Sequence, residues 1–251
     1  MGDGACRAVN GAESQESLAQ ASSLAEAIRA LPVFSSLPAS TMDKLLAEIS
    51  SEQIPAGIVL IHEGKSQEWM FILIEGLLQV FTKSGAHETT LAILPAPVLA
   101  FADAISCDAV ALASARTLQP SWVARMPVAQ ARRLFEEERH FADSVTNAIA
   151  ANWRSMLSEC KNTRSRNGLQ RLIAWVLAMQ DRAGAASEIR LPYDKAVLAS
   201  RLGMAPETLS RNLARLAALG VTIQGRRVTI DDARWLREWI DIDRLDMPPV
   251  P

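Results

Sequence analysis

The sequence predicts an α+β chain in three parts: an N-terminal antiparallel β-roll, one long helix, and a C-terminal winged helix-turn-helix. Three observations lead there. Between Glu52 and Met126, short apolar runs bounded by Gly64, Gly76, Gly85 and Pro95 recur at roughly ten-residue spacing, as in a sandwich or roll. From Val128 to Cys160 there is neither Gly nor Pro, which predicts an unbroken helix. After Tyr193 two short helical patterns meet at Gly203, and a hairpin pattern follows them.

The elements follow in chain order. Residues 1–22 are rich in Gly, Ala, Ser and Glu with no sustained apolar pattern, and read as a disordered leader. The opening MGDGACRAVNGAESQES lacks the basic and apolar regions of a signal peptide. Residues 23–127 form the second part. Two short helices broken by LPVFSSLP precede the runs GIVLIH, WMFILI, LLQVFT and TTLAIL, which predict strands. The apolar stretches are short and interrupted by Glu75 or Asp103, so none predicts a membrane span.

Residues 128–160 form the long helix. Phe141, Val145, Ala148 and Asn152, continued by Ser155 and Glu159, fall at a/d spacing and predict a seam with a second copy of the same helix. Ile149, Trp153 and Leu157 form a second face, expected to pack on the sheet. Residues 161–251 form the last part, opening with a helix over about 165–182 whose core stripe is Leu169, Leu172, Ile173, Val176 and Leu177.

Charge separates the halves. Met1–Glu159 holds 11 basic and 18 acidic residues, whereas 161–230 holds 12 basic against 4 acidic. A basic half on a chain of net charge −2 points to a polyanionic partner for that half alone. The three cysteines, Cys6, Cys107 and Cys160, are scattered and too few for a four-thiolate iron–sulfur cluster. Their pattern fits a reducing, cytoplasmic setting.

Within the basic half, Ala199, Gly203 and Leu209 stand at the first, fifth and eleventh places of a helix-turn-helix. A small residue lets the helices cross, glycine takes the turn, and leucine packs between them. VTIQGRRVTID then reads as a wing bent at Gly225. On the second helix Leu209, Leu213 and Leu216 are expected to face the core, while Glu207, Ser210 and Arg211 cluster on another face. Arg211 has the donors to bind guanine twice, Glu207 accepts from cytosine, and Ser210 suits base or phosphate. Thr208, Arg215, Arg226 and Arg227 are the candidates for phosphate contacts.

These residues carry a resemblance to the CRP/FNR family of transcription regulators, over about Leu31 to Trp239. PAGIVLIHEG resembles that family's first hairpin and FILIEGLLQV its central strand–glycine–strand unit. ETLSR resembles the Glu-x-x-Ser-Arg motif of the FNR-type branch. The resemblance implies a cyclic-nucleotide-binding-like jelly roll as the effector domain. It also implies a homodimer, an inverted repeat of TTGAT-like half-sites read by Glu207, Ser210 and Arg211, and RNA polymerase as partner of an activator.

The effector region departs from that pattern. PVLAFADAISCDAVALASARTL has no Gly-Glu pair, and Ala111 and Leu112 stand where nucleotide binders carry Arg and a hydroxyl residue; Arg116 is out of register. A buried cyclic phosphate would meet no cation, which argues against cyclic AMP. His62, His87 and His140 are the candidate ligands for a haem in a gas-sensing version, and Cys107 is a candidate redox thiol. An enzyme of cupin type would need clustered His ligands, and no His-x-His, catalytic triad, phosphate loop or metalloprotease motif occurs. The remaining alternative is a small-molecule module whose helix-turn-helix meets only protein.

Overall fold

A computed structural model describes residues 23–85, 87–106 and 110–242; the leader, Cys6 and Cys107 lie outside these. Helix α1 (residues 23–30) and α2 (Ala39–Glu48) precede eight strands: β1 (Ser50–Ile54), β2 (Val59–Ile61), β3 (Trp69–Glu75), β4 (Leu77–Ser84), β5 (His87–Pro95), β6 (Val98–Ala100), β7 (Ser114–Thr117) and β8 (Ser121–Pro127). A short helix α3 (Asp103–Ser106) sits between β6 and β7. The strands make two four-stranded sheets, ordered β1-β8-β3-β6 and β2-β7-β4-β5. Register is antiparallel, with Met70 opposite Met126 and Ile72 opposite Ala124.

Strand β3 explains why its run is apolar throughout. Successive side chains point to opposite faces. Phe71 and Leu73 join Ile54, Ile61, Leu78, Ala115 and Val123 between the sheets. Met70 and Ile72 join Ile28, Leu31, Phe34, Leu45, Leu134, Phe141 and Val145 under the helices. Burial on both faces removes the polar alternation expected of a half-exposed strand.

The turn into β4 needs its glycine. Gly76 has φ 110°, and a Cβ there would stand 2.2 Å from Ser121 Oγ and 2.9 Å from Ser121 Cα. Gly76→Ala combines left-handed strain with overpacking and should lower unfolding free energy by about 2–5 kcal/mol. Urea denaturation reads this directly; an unchanged midpoint contradicts it.

The long helix differs from expectation in two ways. It is two helices, α4 (Val128–Glu137) and α5 (Arg139–Ser165), because Glu138 adopts an extended backbone at φ −115° and ψ 95°. No Gly or Pro marks the break; its side chain instead accepts hydrogen bonds from Thr41 and Lys44 of α2. Those bonds hold the Glu138 carboxyl below its ordinary pKa.

The faces of α5 also differ from expectation, although Ile149 packs inward as expected. Phe141 and Val145 are fully buried, Phe141 stacking on Phe34 at 6.2 Å, so both belong to the protomer's own core and cannot form an outward seam. Ala148 and Ile149 pack against that core, and Asn152 donates to the Leu99 carbonyl at 3.5 Å. Trp153, Met156 and Leu157 are instead 63%, 62% and 57% exposed.

The C-terminal elements are α6 (Gly168–Arg182), β9 (Glu188–Arg190), α7 (Lys195–Arg201), α8 (Pro206–Ala218), β10 (Val221–Gln224), β11 (Arg227–Ile230) and α9 (Ala233–Ile242). The chain divides into two compact units. One runs to Val80 and resumes over Ile93–Trp153; the other joins Phe81–Ala92 to the chain from Arg154 onward.

Candidate nucleic-acid interface

Local sequence fixes the frame of the helix-turn-helix. Asn167 caps α6: its Oδ1 accepts from Gln170 N at 3.0 Å, while Gln170 Oε1 accepts from Asn167 N at 2.8 Å. The stripe Leu169, Leu172, Ile173, Val176 and Leu177 is buried as expected. Helix α7 ends at Arg201; Gly203, whose φ of 61° permits the tight turn, follows, and Met204 N donates to Ala199 O. Pro206 then opens α8 at its first position, where no helical donor is lost.

On α8, Leu209 and Leu216 are buried, but Leu213 is only half-buried. Asn212 takes the buried place beside it, its Nδ2 directed at Met204 Sδ, 3.7 Å away. The opposite face exposes Glu207, Ser210, Arg211 and Arg215, with Thr208 half-buried at its margin. Arg211 donates to Thr208 Oγ1 at 3.2 Å, and Ser210 donates to the Pro206 carbonyl at 3.0 Å. Beyond them, exposed Ala214, Ala217 and Ala218 keep that side of the helix slender.

The wing is a three-stranded sheet, β10-β11-β9, bent at Gly225 with φ 61°. Arg226 pairs with Asp194 at 2.8 Å and Arg227 with Glu188 at 3.2 Å. Both pairs are largely exposed, so each is worth little and exchanges readily for a phosphate.

Two cations that sequence reasoning passed over tie this frame together. Arg201 donates to Tyr193 Oη at 3.0 Å and to Glu159 Oε1 at 2.9 Å, and Trp175 Nε1 donates to the same phenol at 3.0 Å. Burial alone would lower the Arg201 pKa, but Tyr193 and Glu159 outweigh it and hold the guanidinium above its ordinary value. Arg171, on the first turns of α6, donates only to backbone carbonyls. A cation there opposes its own helix dipole. That mismatch was the one sequence signal for it.

The candidate sensor residues are less concentrated. Ala111 and Ala115 are buried among the apolar side chains between the sheets, while Leu112 is 86% exposed. Arg116, on β7, donates to Gln79 Oε1 at 2.8 Å. His62, His87 and His140 are all exposed and lie after β2, at the start of β5 and at the start of α5. His62 borders a cavity of about 140 Å³ with Lys65, Gln67 and Trp69. This is below the usual range of small-molecule sites, and His87 and His140 do not line it. Among the described residues no three His, Cys, Asp or Glu side chains group as a metal site, and no helix is long and apolar enough to cross a membrane.

Comparison with known proteins agrees with this architecture. Residues 51–138 match the cyclic nucleotide-binding domain family and residues 170–239 the Crp-like helix-turn-helix domain family. The anaerobic regulatory protein of Haemophilus influenzae is 28% identical over 194 residues, covering 72% of this chain and 72% of that protein. FixK2 from Bradyrhizobium japonicum superposes with a TM-score of 0.67 at 16% identity, over 80% of this chain and 99% of its own. A regulatory protein from Silicibacter pomeroyi DSS-3 does so at 0.57 and 25% identity, over 86% and 98%. A β-roll of the nucleotide-binding type, a long helix and a Crp-like helix-turn-helix, in this order, make the chain a member of the CRP/FNR family of DNA-binding transcription regulators.

Proposed function

We propose that the protein is a cytoplasmic homodimer that reads an inverted repeat of TTGAT-like half-sites, and that its signal is not cyclic AMP. The observation that carries this reading is the division of α8. Leu209, Asn212 and Leu216 fix one side in the core, and Glu207, Ser210 and Arg211 stand exposed together on the other. Arg211 reads guanine, Glu207 a cytosine amino group, and Ser210 base or phosphate. Thr208, Arg215, Arg226 and Arg227 hold the backbone. If the regulator activates, RNA polymerase is its further partner.

The dimer rests on α5, with a revised seam. Trp153, Met156, Cys160 and Thr163 follow alternating steps of three and four residues, the spacing of a coiled-coil stripe. From Trp153 onward nearly every residue of the helix is exposed, including three large apolar side chains. Such a stripe calls for a partner helix. The departure from cyclic AMP rests on Ala111 and Leu112, which offer a phosphate neither charge nor hydroxyl.

Fluorescence anisotropy with a TTGAT inverted repeat tests the reading. Affinity should exceed that for a scrambled duplex by about a thousandfold or more and fall steeply with salt. Equal affinity for both duplexes would refute sequence reading, and salt-independent binding would favour the protein-contact alternative. Arg226→Ala should weaken binding to both duplexes alike and lower the salt slope by about one.

A further inference from the structure

The C-terminal ends of two helices converge on one side chain. A helix leaves its last carbonyls without partners inside the helix, and those carbonyls carry the negative end of its dipole. Arg171 Nε donates to Leu202 O at 2.7 Å, and one Nη reaches Gly203 O at 3.4 Å. The other Nη donates to Arg166 O at 2.8 Å and approaches Thr163 O at 3.4 Å. Leu202 and Gly203 close α7 and form the turn before α8. Thr163 lies in the last turn of α5, and Arg166 lies just beyond its end.

The planar fork of a guanidinium presents its donors to two such sets in a fixed geometry, which the single nitrogen of an ammonium does not. The side chain itself is anchored, because the Asn167–Gln170 capping box fixes the start of α6 one residue beyond Arg166. A second link runs parallel to the first: Arg201, the last residue of α7, reaches Glu159, one turn earlier on α5.

We propose that Arg171 is a positioning residue for DNA recognition: by joining the end of α5 to the turn of the helix-turn-helix, it sets the angle of α8 to α5. This rests on the reading of α8 as the recognition helix and α5 as the dimer helix. In a two-fold dimer the α5 pair defines the axis, so the α5–α8 angle sets how far apart the two recognition helices stand. Half-site spacing is the geometric consequence. Arg171 touches no base and acts on spacer preference, whereas Glu207, Ser210 and Arg211 act on base preference.

The test uses the full-length protein with Arg171→Met, which keeps the apolar stem, and Arg171→Lys, which keeps the charge without the fork. Anisotropy is measured on TTGAT inverted repeats whose spacer is shortened or lengthened by one and two base pairs. Wild type should favour one spacer by about tenfold or more, and Arg171→Met should compress that range to within about threefold. Arg171→Lys should fall between them. A loss of active protein alone would lower all affinities and leave the ranking intact. Full spacer discrimination in either folded variant overturns the proposal.

A second measurement is independent of DNA sequence. Nitroxide labels on Ser158→Cys, exposed on α5 and off the proposed stripe, and on Ala217→Cys on α8 report the angle by their distance distribution, with labelled protomers diluted into unlabelled ones so that the distance within one protomer is read. Cys6, Cys107 and Cys160 are replaced by Ser for this purpose. Arg171→Met should turn a single narrow distance into a broad or double one, and an unchanged distribution overturns the proposal. If wild type ranks no repeat above scrambled DNA, the base-reading assignment fails, and the distance measurement still decides the role of Arg171.

Discussion

Arg211→Ala should reduce affinity for the inverted repeat by about 1–3 kcal/mol per half-site, the worth of one bidentate guanine contact. Two half-sites in a dimer make that roughly 30-fold to ten-thousandfold for the whole operator. Binding to scrambled duplex should change far less, because that term comes from phosphates. The guanidinium is already braced by Thr208, which lowers the entropy lost when it docks. Systematic substitution of the half-site guanine should then have little further effect on the variant. Equal losses on specific and scrambled duplexes would remove Arg211 from the base-reading set.

Trp153→Glu should have the second large effect. Trp153 is the largest exposed apolar side chain on the proposed α5 stripe, with Met156 and Leu157 beside it. Buried aromatic anchors of this kind carry about 2 kcal/mol or more at an interface, so the dimer dissociation constant should rise at least roughly 30-fold. The added charge opposes its own copy across the two-fold axis, which deepens the loss. Sedimentation velocity reads the mass directly. Phe141→Ala serves as the contrast: it should cost about 3–5 kcal/mol of protomer stability, because its ring lies inside the protomer. A dimer that survives Trp153→Glu undiminished would move the interface elsewhere.

That contrast also shows where the sequence was legible. The helix-turn-helix was readable almost to the residue, because Ala199, Gly203 and Leu209 act through local sterics that spacing encodes. Strands β2 to β5 were equally plain, each an apolar run closed by Gly or Pro. Helix α5 misled because two apolar stripes share it, and periodicity says which residues align without saying which stripe meets the core. Phe34, Leu31 and Ile28 decide that, from more than a hundred residues earlier. The break at Glu138 was hidden for the same reason, since its partners Thr41 and Lys44 lie 97 and 94 residues earlier. Arg171 and Arg201 escaped because a cation on an amphipathic helix ordinarily reads as solvated.

The segment Phe81–Ala92 has a consequence for how this protein can be dissected. It lies far upstream, yet it groups with the helix-turn-helix, and Thr90 N donates to Ser200 Oγ on α7 at 2.7 Å. The compact unit that holds the helix-turn-helix therefore draws on two separate stretches of the chain. A fragment begun at Arg154 would carry every residue proposed to read bases and still lack the Thr90 partner of Ser200. Chimeras that exchange sensors between relatives face the same constraint: the donor of the reader must also supply the hairpin if the Thr90–Ser200 hydrogen bond is to be kept.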